Sequence, residues 1–230
     1  MRPENPTLGQ LNSEIISCRR CPRLVAWREK VAREKVARFS SRDYWGKPVP
    51  GFGDPDARVL IVGLAPAAHG ANRTGRMFTG DRSGEWLYRS LYKFGFSNQE
   101  SSDSTDDGLK LTDCYITAVI RCAPPANKPL PGEIENCKPY LLDEITLLRN
   151  VRVIISLGKI SFDNTLASLT GLGIANFDRR PKFGHGAKVR VNEGLTVIAS
   201  YHPSQQNTFT GKLTRPMFES VFRNARRLLG

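Results

Sequence analysis

Four short, almost continuously apolar runs, each followed by a stretch with helical spacing, constrain this chain more than any other feature. The runs are Arg58–Leu64 (RVLIVGL), Tyr115–Ile120, Val151–Leu157 (VRVIISL) and Leu195–Ser200. A strand that faces water on one side alternates; one apolar at nearly every position is covered on both faces. Gly84–Phe94, Glu133–Leu148, Ser161–Leu169 and Pro216–Leu229 read as helices. Ser83 is the expected N-cap of the first, and Pro131–Gly132 opens the second. The alternation predicts an α/β fold, a single domain over residues 1–230 with a four-stranded, mainly parallel sheet and helices on both faces. Residues 1–50 form an N-terminal helical region closed by Pro48, Pro50, Gly51 and Gly53. In a parallel sheet, ligands bind beyond the carboxyl ends of the strands. The unusual residues of this sequence collect there.

Charge narrows the partner. Lys and Arg total 34 against 22 Asp and Glu, a formal net charge of +12. Such a surplus favours a polyanion, with nucleic acid the first candidate. The N-terminus has no apolar leader run, and no apolar stretch is long enough to span a bilayer. The expected location is therefore the cytosol, where thiols stay reduced, and the five cysteines are ligands, catalysts or core fillers before they are disulfides.

Cys18 and Cys21 form a C-x-x-C pair, and Cys122 and Cys137 form a second, wider pair. A redox dithiol normally opens a helix after a strand, and no strand precedes Cys18. Four thiolates suit zinc or an iron–sulfur cluster. The loose second pair fits a cluster better than paired zinc knuckles, and zinc stays open on spacing alone. Cys114, at the start of a buried run, reads as a core thiol.

Two loops carry candidate chemistry. Gly63–Leu87 (GLAPAAHGANRTGRMFTGDRSGEWL) is dense in glycine, which lets backbone approach a ligand closely. Phe78 in that loop is either core or a stacking platform for a base. Asp81 is either a helix-start carboxylate or an acid–base group. The second loop is Tyr201–Asn207 (YHPSQQN). A histidine at a strand end is more often structural, but His202 followed by Pro203 and Ser204 at the ligand edge can hydrogen-bond a developing anion. Lys212, Arg215 and nearby hydroxyls suit phosphate oxygens.

With GLAPA after the first run, GRMFTGD, RCAPP after the second and HPSQQN after the fourth, the sequence resembles the uracil-DNA glycosylase superfamily. Its type B, or family 5, branch of bacteria and archaea is the most similar, and the likeness extends from Cys18 to the last helix. The resemblance implies a [4Fe–4S] cluster on Cys18, Cys21, Cys122 and Cys137, structural in role, and so decides against zinc. It implies base flipping into a pocket. Phe78 would stack on the base, and His202 would stabilise the departing uracil anion. Gly63, Leu64, Ala65 and Ala68 would shape the pocket, with Ala118, Ser204 and Asn207 among the base-contacting positions. The partner would be DNA carrying a deaminated base, and the protein a nucleoid-associated monomer.

The departures are informative. Related branches carry a carboxylate where this chain has Leu64 or Ala65, neither of which can activate water, so Asp81 is the expected water-positioning group. Relatives also place an asparagine where this chain has Ala118. Losing an amide that reads the uracil edge loosens discrimination, so hypoxanthine and xanthine join uracil as expected substrates. One related branch traps DNA covalently through a basic loop ending in histidine; the corresponding APPANKPLPGE segment lacks one. A non-catalytic or trapping uracil-DNA binder and a zinc-binding nucleic-acid module are the competing functions. Arg179–His185 (RRPKFGH) reads as a DNA-backbone contact or a solvated loop, and Gln205–Leu213 as the place for an intercalating wedge.

Overall fold

The computed structural model describes residues 7–230. The chain opens with α1 (Leu8–Ser17) and α2 (Pro22–Glu34), followed by β1 (Phe52–Gly53), β2 (Val59–Gly63), α3 (Ala71–Thr74) and α4 (Arg82–Lys93). Then come β3 (Cys114–Ala118), α5 (Pro131–Leu147), β4 (Val153–Leu157), α6 (Lys159–Gly171), β5 (Lys188–Arg190) and β6 (Thr196–Ser200). Two helices close the chain, α7 (Gln205–Phe209) and α8 (Arg215–Leu229).

One sheet runs in the order β1-β3-β2-β4-β6-β5. Its centre is the expected parallel set, β3, β2, β4 and β6. The sheet has six strands, not the expected four, because β1 and β5 add antiparallel edges. Neither has the signature of a buried strand: β1 is two residues long, and β5 is Lys-Val-Arg with both basic residues exposed. Such short, charged strands are typical of sheet edges.

The central strands sort their side chains by parity, as a pleated strand must. Val59, Ile61, Ile116, Val153, Ile155 and Ile198 face α4 and α8, where Trp86, Leu87, Leu91, Phe218 and Phe222 meet them. Leu60, Val62, Tyr115, Ile154, Val197 and Ala199 face α5 and α6, meeting Leu141, Phe162, Leu166 and Leu169. Burying each such aliphatic or aromatic side chain contributes about 1.5–3 kcal/mol, and this packing fixes the register that aligns the carboxyl ends. A third cluster of Leu11, Ile15 and Tyr140 joins α1 to α5.

One detail differs from expectation and a second sharpens it. The N-cap of α4 is Asp81, not Ser83: Asp81 is extended (φ −139°, ψ 167°) and its carboxylate accepts from the Gly84 N–H at 2.9 Å. Gly80, at φ +77°, makes the turn that puts Asp81 at that position. The C-x-x-C pair lies in the turn between helices, Cys18 closing α1 and Cys21 capping α2 with Pro22 as its first residue.

Candidate active site

The pocket residues converge at the carboxyl ends of β2, β3 and β6. Gly63 and Ala118 pair in register as the last residues of β2 and β3. Phe78 lies over Gly63: a Cβ there would stand 2.7 Å from the ring, so glycine is what admits the aromatic. Phe78 itself is held at φ +56°, a conformation that costs a non-glycine residue on the order of 1–3 kcal/mol and often marks functional loops. Its ring lies 6.0 Å from that of His202, inclined by 28°, within direct aromatic contact.

His202 follows β6 and rests against Gly158, where an added Cβ would meet the His202 Cβ at 3.5 Å. Burial depresses its pKa to about 4, so the imidazole is neutral near pH 7 and offers an N–H without carrying a charge. The loop around it is braced on both sides. Asn207 Nδ2 donates to the His202 carbonyl at 2.9 Å, and Ser204 caps α7. The Tyr201 N–H donates to His185 Nδ1 at 3.2 Å, while His185 Nε2 donates to the Met217 carbonyl at 3.1 Å. That pair of contacts fixes the neutral tautomer of His185. The residue read from sequence as part of a DNA-contacting or solvated stretch is thus a half-buried strut under the His202 loop. No motif spacing marks it, since its partners come from α8 and the strand-end loop.

Asp81 sits in the same glycine-rich loop, three residues beyond Phe78. Burial raises its pKa, opposed by the backbone donors of Gly84 and Ser83. A Cβ on Gly70 would lie 2.4 Å from Asp81 Oδ2, so the GLAPAAHG segment presses on the carboxylate only because glycine stands there. Arg73 ties the loop together, donating to the carbonyls of His69 (2.9 Å) and Gly80 (3.3 Å). His69 is engaged by Tyr44 at 3.1 Å. Leu64 accepts a backbone bond from Ile120, Ala68 accepts from Asn72, and Ala65 packs toward the α5–α6 layer. Of the two residues expected to touch the base, Ser204 accepts from the Asn207 N–H as the α7 cap, and Asn207 gives its amide N–H to the His202 carbonyl.

Cations crowd one side of this site. Arg82 lies 4.2 Å over the ring of Phe209, Arg215 lies 4.7 Å over Trp86, and Lys212 lies 5.1 Å over Tyr201. Arg82 and Arg89 both act on the Arg215 guanidinium, whose pKa is lowered first by burial and then by these like charges. Phe209 is 67% exposed at the end of α7.

Cys18, Cys21, Cys122 and Cys137 line one small cavity with Arg20, Leu24, Val25, Pro48, Arg121 and Asn136. Burial pushes the Cys122 thiol up to about 12 and Cys137 up to about 11, so thiolates at those positions need a bound cation to offset their charge. The Arg121 N–H donates to Cys137 Sγ at 3.3 Å, and its buried guanidinium pairs with the buried Glu144 carboxylate. Thr117 joins the same pair from the strand that ends at Ala118. Among the described residues no three His, Cys, Asp or Glu side chains gather as a single-ion site. Four thiols share one cavity, and thiolates are the ligands that iron–sulfur clusters take, so the donor set fits such a group. Cys114 is buried in the core, as expected.

A strand-end cluster of a buried aromatic ring, a neutral, half-buried histidine and a half-buried carboxylate, bordered by arginines, suits an enzyme that processes nucleic-acid bases. Residues 50–226 match the model of the uracil DNA glycosylase superfamily. The chain is similar to the type-5 uracil-DNA glycosylase of Mycobacterium bovis, 48% identical over 97% of this chain and 82% of the relative. It is 49% identical to that of Thermus thermophilus (94% and 95% covered) and 44% identical to that of Pyrobaculum aerophilum (93% and 89%). The chain belongs to the uracil DNA glycosylase superfamily. Among the described residues, no helix is long and apolar enough to cross a membrane.

Proposed function

We propose that this chain hydrolyses the N-glycosidic bond of uracil in DNA, with Phe78, His202 and Asp81 as the working side chains. The observation that carries the assignment is the stacking of Phe78 against a half-buried, neutral His202 at the carboxyl edge of the sheet. The enzyme is a DNA N-glycosylase acting in base repair. A base is unreachable inside a duplex, so it is flipped out and laid against Phe78. The bond from the sugar C1′ to uracil N1 breaks, its electron pair leaves with the base, and the sugar becomes cationic. His202 donates an N–H to the uracil oxygen that gains negative charge; a neutral donor serves without being deprotonated. A water oxygen adds to C1′, and Asp81, whose half-buried, partly desolvated carboxylate holds a proton more readily than usual, orients that water and takes its proton.

Gly63, Leu64, Ala65 and Ala68 shape the wall, with Ala118 as its floor. An alanine at 118 has no amide to read the uracil edge, which supports a wider substrate range that includes hypoxanthine and xanthine. Cys18, Cys21, Cys122 and Cys137 would hold a [4Fe–4S] cluster. Its iron would supply the charge balance for buried thiolates and cross-link α1, α2 and α5 to the strand β3 end. A monomer acting on the DNA of the nucleoid is the working unit in this reading.

Incubating the protein with duplexes that each carry one deaminated base, then identifying the free base released, tests this function. Release of uracil and, more slowly, of hypoxanthine or xanthine is expected. Release of uracil alone removes the breadth assignment, and tight binding without released base favours the binding-protein function.

A further inference from the structure

Arg28 is a buried cation that the pocket chemistry does not use. It lies on α2, 2% exposed, between the cysteine cavity and the glycine-rich loop. Its Nη1 donates to the Gly46 carbonyl at 2.6 Å and Nη2 reaches the Cys18 carbonyl at 3.5 Å, while Nε has no partner. Its ion pair with Glu29 is long, 3.7 Å, and that carboxylate is already gripped by Arg19. Arg121, a buried guanidinium that lines the cysteine cavity, has the buried Glu144 as counter-charge, and Arg20, which also lines it, is half exposed and pairs with Glu14. Arg28 therefore places a loosely paired positive charge behind the Cys18 backbone, just outside the cavity that the four thiols line. Four thiolates around an iron–sulfur core carry net negative charge, and a low-dielectric interior makes a nearby cation count.

The same residue reaches the pocket loop from its other end. The Arg28 carbonyl accepts from Asn72 Nδ2 at 3.3 Å, and Asn72 is fully buried on α3. Asn72 Nδ2 also donates to the Ala68 carbonyl at 3.3 Å, and the Gly46 N–H donates to the Asn72 carbonyl at 3.0 Å. Arg28, Gly46 and Asn72 thus close a ring of contacts between α2 and the loop that shapes the pocket. Gly46 sits at φ +60° with Ala32 2.9 Å from where its Cβ would be, so this corner accepts only glycine without displacement.

We propose that Arg28 is a positioning residue that joins the four-cysteine site to the base pocket. Its guanidinium offsets the charge of the loaded cluster and grips Gly46, and its carbonyl anchors Asn72, so that loading of the cluster sets the placement of residues 67–72. This rests on the assignment of the four cysteines to a cluster.

The experiment compares iron-loaded wild type with Arg28→Met, Arg28→Lys and Asn72→Ala. It measures iron per chain, the rate at which oxidant bleaches the visible absorbance, and amide hydrogen exchange over residues 67–74. Arg28→Met is expected to bleach about tenfold faster, the low end for loss of an outer partner of a metal site, and to exchange faster over 67–74. Arg28→Lys keeps the charge and is expected to bleach at the wild-type rate. Asn72→Ala cuts only the loop contact, so wild-type bleaching with faster exchange over 67–74 is expected, along with a KM that rises more than kcat falls. If Arg28→Met fails to fold, Arg28→Lys and Asn72→Ala still decide. Iron-loaded variants with wild-type bleaching and wild-type exchange overturn the role of Arg28 alone, whereas iron-free wild type overturns the cluster assignment and this inference with it.

Discussion

Asp81 serves two ends that pull in opposite directions. Its carboxylate caps α4, and an N-cap contributes about 1 kcal/mol. Burial also raises its pKa, so the charged form needed near neutrality is disfavoured in the folded state. A carboxyl whose folded pKa exceeds its unfolded value stabilises the fold fully only below the unfolded value and loses that contribution as pH rises through the folded one. Asparagine keeps an accepting oxygen for the Gly84 N–H and carries no charge. Asp81→Asn is therefore expected to melt at or above the wild-type temperature at pH 7 while base release falls about 10²–10⁴-fold. A clear drop in melting temperature would make the carboxylate a structural group first. His202 runs the other way. With its pKa depressed to about 4, it favours the fold above the unfolded value near 6.5, and that contribution is lost as pH falls through about 4. Phe78, Asp81 and His202 were legible as candidates because each stands in a loop of unusual composition at a strand end. Arg28 and His185 were not, because a buried strut is defined by partners distant in sequence.

At the scale of elements, the four parallel strands were readable because double-sided burial demands near-continuous apolar runs. The edge strands β1 and β5 were not, because an edge needs no such run. The α7 helix was also missed: at five residues it is too short to show a period, and it exists because Ser204 caps it. Its end presents Phe209, exposed and flanked by Arg82, within the segment expected to hold a wedge. An exposed aromatic beside phosphate-binding cations can fill the gap that a flipped base leaves. Phe209→Ala is expected to lower kcat/KM about tenfold on duplex uracil and to leave single-stranded uracil within about twofold, since one unstacked step is worth a few kcal/mol at most. Equal losses on both substrates would assign Phe209 to general strand binding.

Over the whole molecule, the charge of +12 is put to local use. Arg82, Lys212 and Arg215 lie around the α7 loop and the start of α8, with Arg89 close enough to act on Arg215, and in the proposed function these cations position phosphates without reading sequence. The cysteine site on the α1–α2 turn, α5 and the segment after β3 fastens the N-terminal helices to the same end of the sheet. Stacking, charge and the four cysteines thus lie toward one end of the sheet, and the sheet keeps that end in register.

The measurement that bears most directly on this arrangement is abasic-site formation on a duplex with one uracil, followed in single turnover for wild type, His202→Ala and Asp81→Asn. Abasic product from wild type, slowed at least about 10²-fold in both variants with uracil-DNA affinity retained, is the expected result. Wild-type rates in either variant would remove that residue from the chemistry, and absence of product from wild type would contradict the site as a whole.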